Sequence, residues 1–219
     1  VCFDTGMNAP ETALRLPEPA AVRDRSRRTA LLEFLIAPDN RYRKYDFTPD
    51  WRPGWDLATM SNGGGDEYAI ALSGTAGLVR CFDHESEMSP YANDEEHWPG
   101  TVDALPGELA FLMADTDFNG GDALSVSALL WRLPADASWR TGVSGDREDG
   151  SGWLLGGLYA ADPARYLHEE FQDYYERALD LDAVRAVFEG RPLTKEVAAG
   201  LNSEADPTEL LRRAEAYPV

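Results

Sequence analysis

The sequence predicts an α+β fold, and three observations carry that expectation. Two β-patterned runs, Glu67 to Leu72 and Leu78 to Asp83, are joined by a short glycine-containing segment suited to an antiparallel hairpin. A helix with apolar residues gathered at its end precedes them, and a series of capped helical segments closes the chain. A sheet covered by helices, with a helical C-terminal region, is the arrangement that buries all of these apolar faces.

Taken in order, residues 1–20 carry Pro10, Pro17 and Pro19 among small and polar residues, which predicts an extended arm with at most a helical turn at Glu11 to Leu16. Ala20 to Ile36 is the first convincing helix, with Leu31, Leu32, Phe34, Leu35 and Ile36 at its end and Pro38 as its stop. Its Arg23, Arg25, Arg27 and Arg28 read as a solvated face that pairs with the protein's own acids. The Trp51 to Asp66 stretch reads as a loop, after which Tyr68, Ile70 and Leu72 alternate with Glu67, Ala69 and Ala71 at the period of a half-buried strand. Residues 85–100 form a long polar loop bearing Tyr91, His97 and Trp98.

Leu105 to Ala114 is expected to be a helix with Pro106 in its first turn, and Ser125 to Leu133 a strand. Pro134 to Gly152, with four glycines and the acids Asp146, Glu148 and Asp149, reads as a mobile loop or a boundary. Asp162-Pro163, Asp182 with Gly190, Thr194, and Asp206-Pro207 then punctuate four helices. The organisation expected is one domain over residues 1–219, with an α+β core at about 20–150 and a helical C-terminal elaboration at about 151–219.

Composition narrows the function classes. At 43% hydrophobic and 27% charged residues the chain has the make-up of an ordinary soluble protein, and no apolar run approaches the ~18 to 20 residues of a membrane span. The N-terminal residues lack the basic and apolar regions of a signal peptide, so a cytoplasmic location without membrane attachment is expected. Of the two cysteines, Cys2 lies near the terminus and Cys81 within a strand, so no disulfide framework is indicated. The net charge is −19, and all of the excess lies after residue 60, where eleven basic residues face thirty acidic ones. Such a field disfavours nucleic acid, whose phosphates need cations, and favours a basic protein partner. Acidity that serves only solubility is the plainer reading of the same fact.

A Trp-containing loop, the run Asn62-Gly-Gly-Gly-Asp-Glu-Tyr68 leading into a strand, and a helix after the Trp98-Pro99 loop resemble the SUKH superfamily over about residues 45–115. That superfamily consists largely of immunity proteins of polymorphic-toxin systems, with relatives used as regulatory binding modules. The resemblance implies a central, mostly antiparallel sheet packed by helices, and a function exercised by binding. After about Gly120 the chain adds a strand candidate and several helices that lie outside the family pattern.

Chemical motifs are sparse. Asp115-Thr-Asp117-Phe-Asn119-Gly120 copies the opening of a calcium loop, but Val126 stands where the bidentate Glu belongs and Asp122 where an apolar residue is usual. Asp83, His84 and Glu85 are metal or acid-base candidates, although on a continuing strand His84 and Glu85 would point to opposite faces. The three histidines show no zinc spacing, Gly142-Val-Ser-Gly-Asp146 lacks the closing Gly of a nucleophile elbow, and the Gly63 to Gly65 run precedes a strand instead of opening a helix. The reading is therefore a non-enzymatic binding protein, with no catalytic set, metal or cofactor assigned, that neutralises a basic partner such as a toxin. The contact residues expected are Tyr91, Asp94, Glu95, Glu96 and Trp98, which combine large amphipathic anchors with charge. A small hydrolase or metal-dependent enzyme using Asp83, His84 and Glu85 is the alternative.

Overall fold

A computed structural model describes residues 6–121 and 124–217. Cys2 and Asp122 lie outside the described residues. The fold is α+β, built on a five-stranded antiparallel meander. Its strands are β1 (Tyr45–Arg52), β2 (Trp55–Ser61), β3 (Glu67–Leu72), β4 (Gly77–Phe82) and β5 (Ala128–Arg132), each paired with the next. The β3–β4 hairpin is the one the sequence predicts, in the register Glu67 to Phe82 through Leu72 to Gly77.

The Trp51 to Asp66 stretch differs from the loop expected, because it contains the end of β1, a turn at Pro53 and Gly54, and all of β2. The alternation that marks a one-sided strand is missing there, since Asp56, Leu57 and Ala58 are buried in succession. Asp56 tolerates burial because Arg23 pairs with its carboxylate and the Asp50 amide donates to it at 2.9 Å.

The sheet is covered on both faces, so β3, β4 and β5 are buried almost throughout, while the edge strand β1 buries only Phe47. On one face Met60, Tyr68, Ile70, Val79, Cys81 and Leu130 pack against α1 (Ala9–Arg15) and α2 (Pro19–Ile36). On the other face Leu57, Ala69, Leu78 and Leu129 lie under Leu109, Leu112 and Phe118. That cover is not the α-helix expected over Leu105 to Ala114. It is two 3-10 turns, Gly107–Leu109 and Leu112–Ala114, followed by the short α3 (Thr116–Asn119). Residues three apart eclipse in a 3-10 turn, which puts Leu109 and Leu112 on the same side, against the sheet.

The buried Arg80 of β4 ties this cover to the sheet. Its guanidinium donates to the Phe118 and Ser125 carbonyls, each at 2.8 Å, and to Glu67 at 2.7 Å. The 134–152 segment is likewise stitched in. Trp139 is buried and donates to the Pro17 carbonyl at 2.6 Å, and the buried Asp149 accepts from the amides of Ala9 at 2.6 Å and Ser151 at 2.9 Å. The N-terminal arm is thereby docked, with a capping box of Asn8 and Glu11 starting α1.

Two short helices, α4 (Ser151–Leu154) and α5 (Gly156–Tyr159), lead into α6 (Pro163–Tyr175), α7 (Leu181–Phe188), α8 (Lys195–Leu201) and α9 (Pro207–Glu215). The last four open on Asp162, Asp180, Thr194 and Asp206, whose side chains accept amide hydrogen bonds of the first turn. Their apolar faces, including Leu167, Phe171, Val184 and Leu201, close on Leu32, Leu35 and Ile36 of α2. Among the described residues no helix is long and apolar enough to cross a membrane.

Candidate functional site

The open end of the β3–β4 hairpin carries the densest chemistry. Because Glu67 pairs with Phe82, Asp66 and Asp83 face each other one step beyond the ladder. The strand ends at Phe82 and the chain turns, with the Ser86 amide donating to the Asp83 carbonyl at 3.2 Å. The strict alternation expected through Asp83, His84 and Glu85 therefore does not apply. One ligand atom from each of Asp66, Asp83 and His84 lies within 4.8 Å of the others, while Glu85 stands outside this set on the wall of a cleft.

Each of the three side chains is held by its neighbours. Asp66 Oδ1 accepts from the His84 amide at 3.1 Å and lies 2.7 Å from His84 Nδ1, and its Oδ2 accepts from Asn62 Nδ2 at 2.7 Å. Asn62 Oδ1 in turn accepts from the amides of Gly64 at 2.7 Å and Asp66 at 3.1 Å, so the Asn62-Gly-Gly-Gly run folds around its own first side chain. Asp83 accepts from the Glu85 amide at 3.1 Å and from Trp153 Nε1 at 3.0 Å. Two glycines let backbone close on the cluster. Gly65 has φ +111° and a Cβ there would sit 3.1 Å from His84 Nδ1; Gly150 has φ +81° and a Cβ there would collide with that of Asp83.

Like charges placed opposite on neighbouring strands repel. The hydrogen bond that its ring donates to the Asp66 carboxylate raises the imidazole pKa of His84. Burial pushes the Asp66 carboxyl up, but the hydrogen bonds from His84 and Asn62 outweigh it and leave the pKa lowered.

Asp66 and Asp83 line a cleft of about 720 Å³, and His84 lies beside them outside its lining. Six carboxylates line it, those of Asp66, Asp83, Glu85, Glu87, Asp146 and Glu148, against one guanidinium, that of Arg147. Arg147 pairs with Glu87 and lies over the Trp98 ring, 4.8 Å from its centroid. Trp98 is half-buried and meets the cleft through Arg147. Tyr91 is 71% exposed in a 3-10 turn at Pro90–Ala92, with its ring edge-to-face on Phe82 at 5.5 Å. Asp94, Glu95 and Glu96 follow on the same surface segment, all exposed, with Asp94 and Glu95 in the left-handed region at φ 54° and 66°. Asn93 fixes this segment by donating to the carbonyls of Glu87 at 2.7 Å and Ser89 at 2.9 Å.

Of the residues expected from sequence, the structure thus links Trp98 to the cleft through Arg147, brings Asp83 and His84 together with Asp66, and leaves Tyr91 and Asp94 to Glu96 on the exposed segment before Trp98. Asp66, Asn62 and Trp153 were not anticipated as site residues. The only sequence signal for Asp66 is its place at the end of the Asn-Gly-Gly-Gly run. A smaller apolar pocket of about 250 Å³ adjoins the cleft behind Trp153 and Asn62, between Tyr45, Met60 and Tyr166. At its edge Glu170 pairs with Lys44 and accepts from the Tyr45 hydroxyl at 2.8 Å.

The other candidates are used within the fold. Asp115 caps α3 by accepting from the Asp117 amide at 2.8 Å and pairs with Arg52, while Asp117 accepts from Trp51 Nε1 at 3.2 Å. Cys81 is buried, and that burial holds its thiol well above the usual range, so it is a packing residue. His97 and His168 each use Nε2 on a backbone carbonyl, those of Leu124 and Leu179. No protein-family model, no curated protein and no solved structure matches the chain.

Proposed function

We propose that this protein is a non-enzymatic binding protein of the immunity type, whose acidic cleft and the exposed segment before Trp98 engage a basic segment of a protein partner such as a toxin. The observation that supports the reading best is the seat of Arg147. A guanidinium held between a carboxylate, Glu87, and an indole face, Trp98, at the mouth of a six-carboxylate cleft is an internal version of the contact a basic partner would make. The exposed Asp94, Glu95 and Glu96 add the same charge on that segment, where it accelerates encounter more than it strengthens the bound state.

The test is a titration of the basic product of the neighbouring reading frame against wild type, Trp98→Ala and an Asp94, Glu95, Glu96 to Lys triple variant. Trp98→Ala is expected to weaken binding by ~2 kcal/mol, mainly through faster dissociation. The triple variant is expected to associate more slowly, with the difference erased by added salt. Unchanged affinity and rates in both folded variants would place the binding surface elsewhere.

A further inference from the structure

We propose that Asp66, Asp83 and His84 form a binding site for a first-row divalent transition metal ion such as Mn2+ or Zn2+, beside the acidic cleft that the two aspartates line and independent of any protein partner. Four observations converge on it. The donor set is mixed, two carboxylates and one imidazole, and this combination suits borderline ions better than the all-oxygen sites that calcium and magnesium prefer. The ligand atoms already lie within 4.8 Å of one another, and ligands ~2.1 Å from a shared ion stand no more than about 4.2 Å apart, so binding needs a small closure and release of the proton that His84 and Asp66 share.

The outer shell is in place as well. Asn62 holds one oxygen of Asp66 and the Trp153 indole holds one of Asp83, which fixes both carboxylates from behind in the way that supporting hydrogen bonds orient metal ligands. Finally, among the described residues no Lys or Arg pairs with either aspartate. Asp66 and Asp83 face each other across the hairpin, the imidazole hydrogen-bonds Asp66 alone, and the donors to Asp83 are a neutral amide and a neutral indole. The cleft above supplies the access route, and its other carboxylates raise the local concentration of cations.

The position of Trp153 provides a local reporter. Protein stripped with a chelator would be titrated with Mn2+, Zn2+, Mg2+ and Ca2+ by calorimetry, and with Co2+ while tryptophan emission is followed. The result expected is one Mn2+ or Zn2+ per chain, at least tenfold tighter than Mg2+ or Ca2+, with Co2+ quenching emission. His84→Gln and Asp83→Asn should each weaken Mn2+ and Zn2+ binding at least tenfold. Glu87→Lys, which alters the wall and leaves the ligand set intact, should retain one site per chain. Trp153→Phe should keep one calorimetric site per chain at reduced affinity, because Asp83 loses its indole donor, and should lose most of the Co2+ quench. His84 is more than a third exposed, so its Gln variant is expected to fold even where Asp83→Asn does not. Equal affinity in wild type and folded His84→Gln, equal affinity for all four ions, or no stoichiometric binding to wild type would overturn the proposal. None of these readouts involves the partner, so a failure of the metal site and a failure of the binding reading are separable.

Discussion

Replacing Arg80 with Met should cost this protein about 3–5 kcal/mol, the range for removing one member of a buried ion pair. Arg80 is 2% exposed and serves three acceptors, the carbonyls of Phe118 and Ser125 and the Glu67 carboxylate. Each carbonyl left unpaired costs ~1–3 kcal/mol. The Glu67 side chain is 27% exposed, so water recovers part of its loss and the total stays below the sum of the separate penalties. Met retains much of the apolar stem, which keeps the packing term small. For a chain of this size the change corresponds to a fall in Tm of roughly 6–20 °C. Urea melts would measure it, and hydrogen exchange should show protection lost first over residues 112–121, whose backbone Arg80 anchors. A loss under ~1 kcal/mol, or exchange unchanged in that segment, would refute the view that Arg80 fastens the 3-10 cover to the sheet.

Three further outcomes are expected. Burial raises the pKa of Glu33 above its ordinary value near 4.5, so its folded form binds a proton more readily than the unfolded chain, and wild-type stability is lost as pH rises from ~4.5 through the native pKa. The stability of Glu33→Gln relative to wild type should therefore increase with pH across that window in paired urea melts, and a decrease would contradict the assignment. Gly150→Ala puts a side chain at φ +81° against Asp83, at a cost of ~1–3 kcal/mol of backbone strain, read as a lowered urea midpoint with unchanged slope. Phe171→Ala, at a fully buried position against Tyr45, should lose about 3–5 kcal/mol in the same assay.

The elements that could be read from sequence were those whose signals are local. The hairpin of β3 and β4 shows in its runs of β-forming residues, and α6, α8 and α9 show in Asp162-Pro163, Thr194 and Asp206-Pro207, because caps and turns depend on neighbours a few residues away. β2 was hidden because a sheet covered on both faces erases alternation, and because the buried Asp56 owes its place to Arg23 on a distant helix. The 3-10 cover was mistaken for a helix since Leu109 and Leu112 satisfy either period over so short a stretch.

The site divides in the same way. Asp83 and His84 stand out as candidates by residue type, but their convergence with Asp66 is a consequence of register and of where β4 stops. Neither can be written in a motif. The seat of Arg147 on Trp98 and Glu87 depends on two segments meeting at the cleft mouth, which no local pattern encodes.

The shared position of α2 bears on how this chain can be cut. Val22 and Ala30 face the sheet, whereas Leu32, Leu35 and Ile36 face the C-terminal helices, so neither half of the protein owns the helix outright. A fragment ending before α6 would expose those three aliphatic side chains, at ~1.5–3 kcal/mol each. That sum rivals the whole stability of a typical domain, ~5–15 kcal/mol. A shortened version is therefore expected to aggregate instead of surviving as a smaller working unit, and fusion partners or tags belong at the chain ends, never at the junction near residue 160.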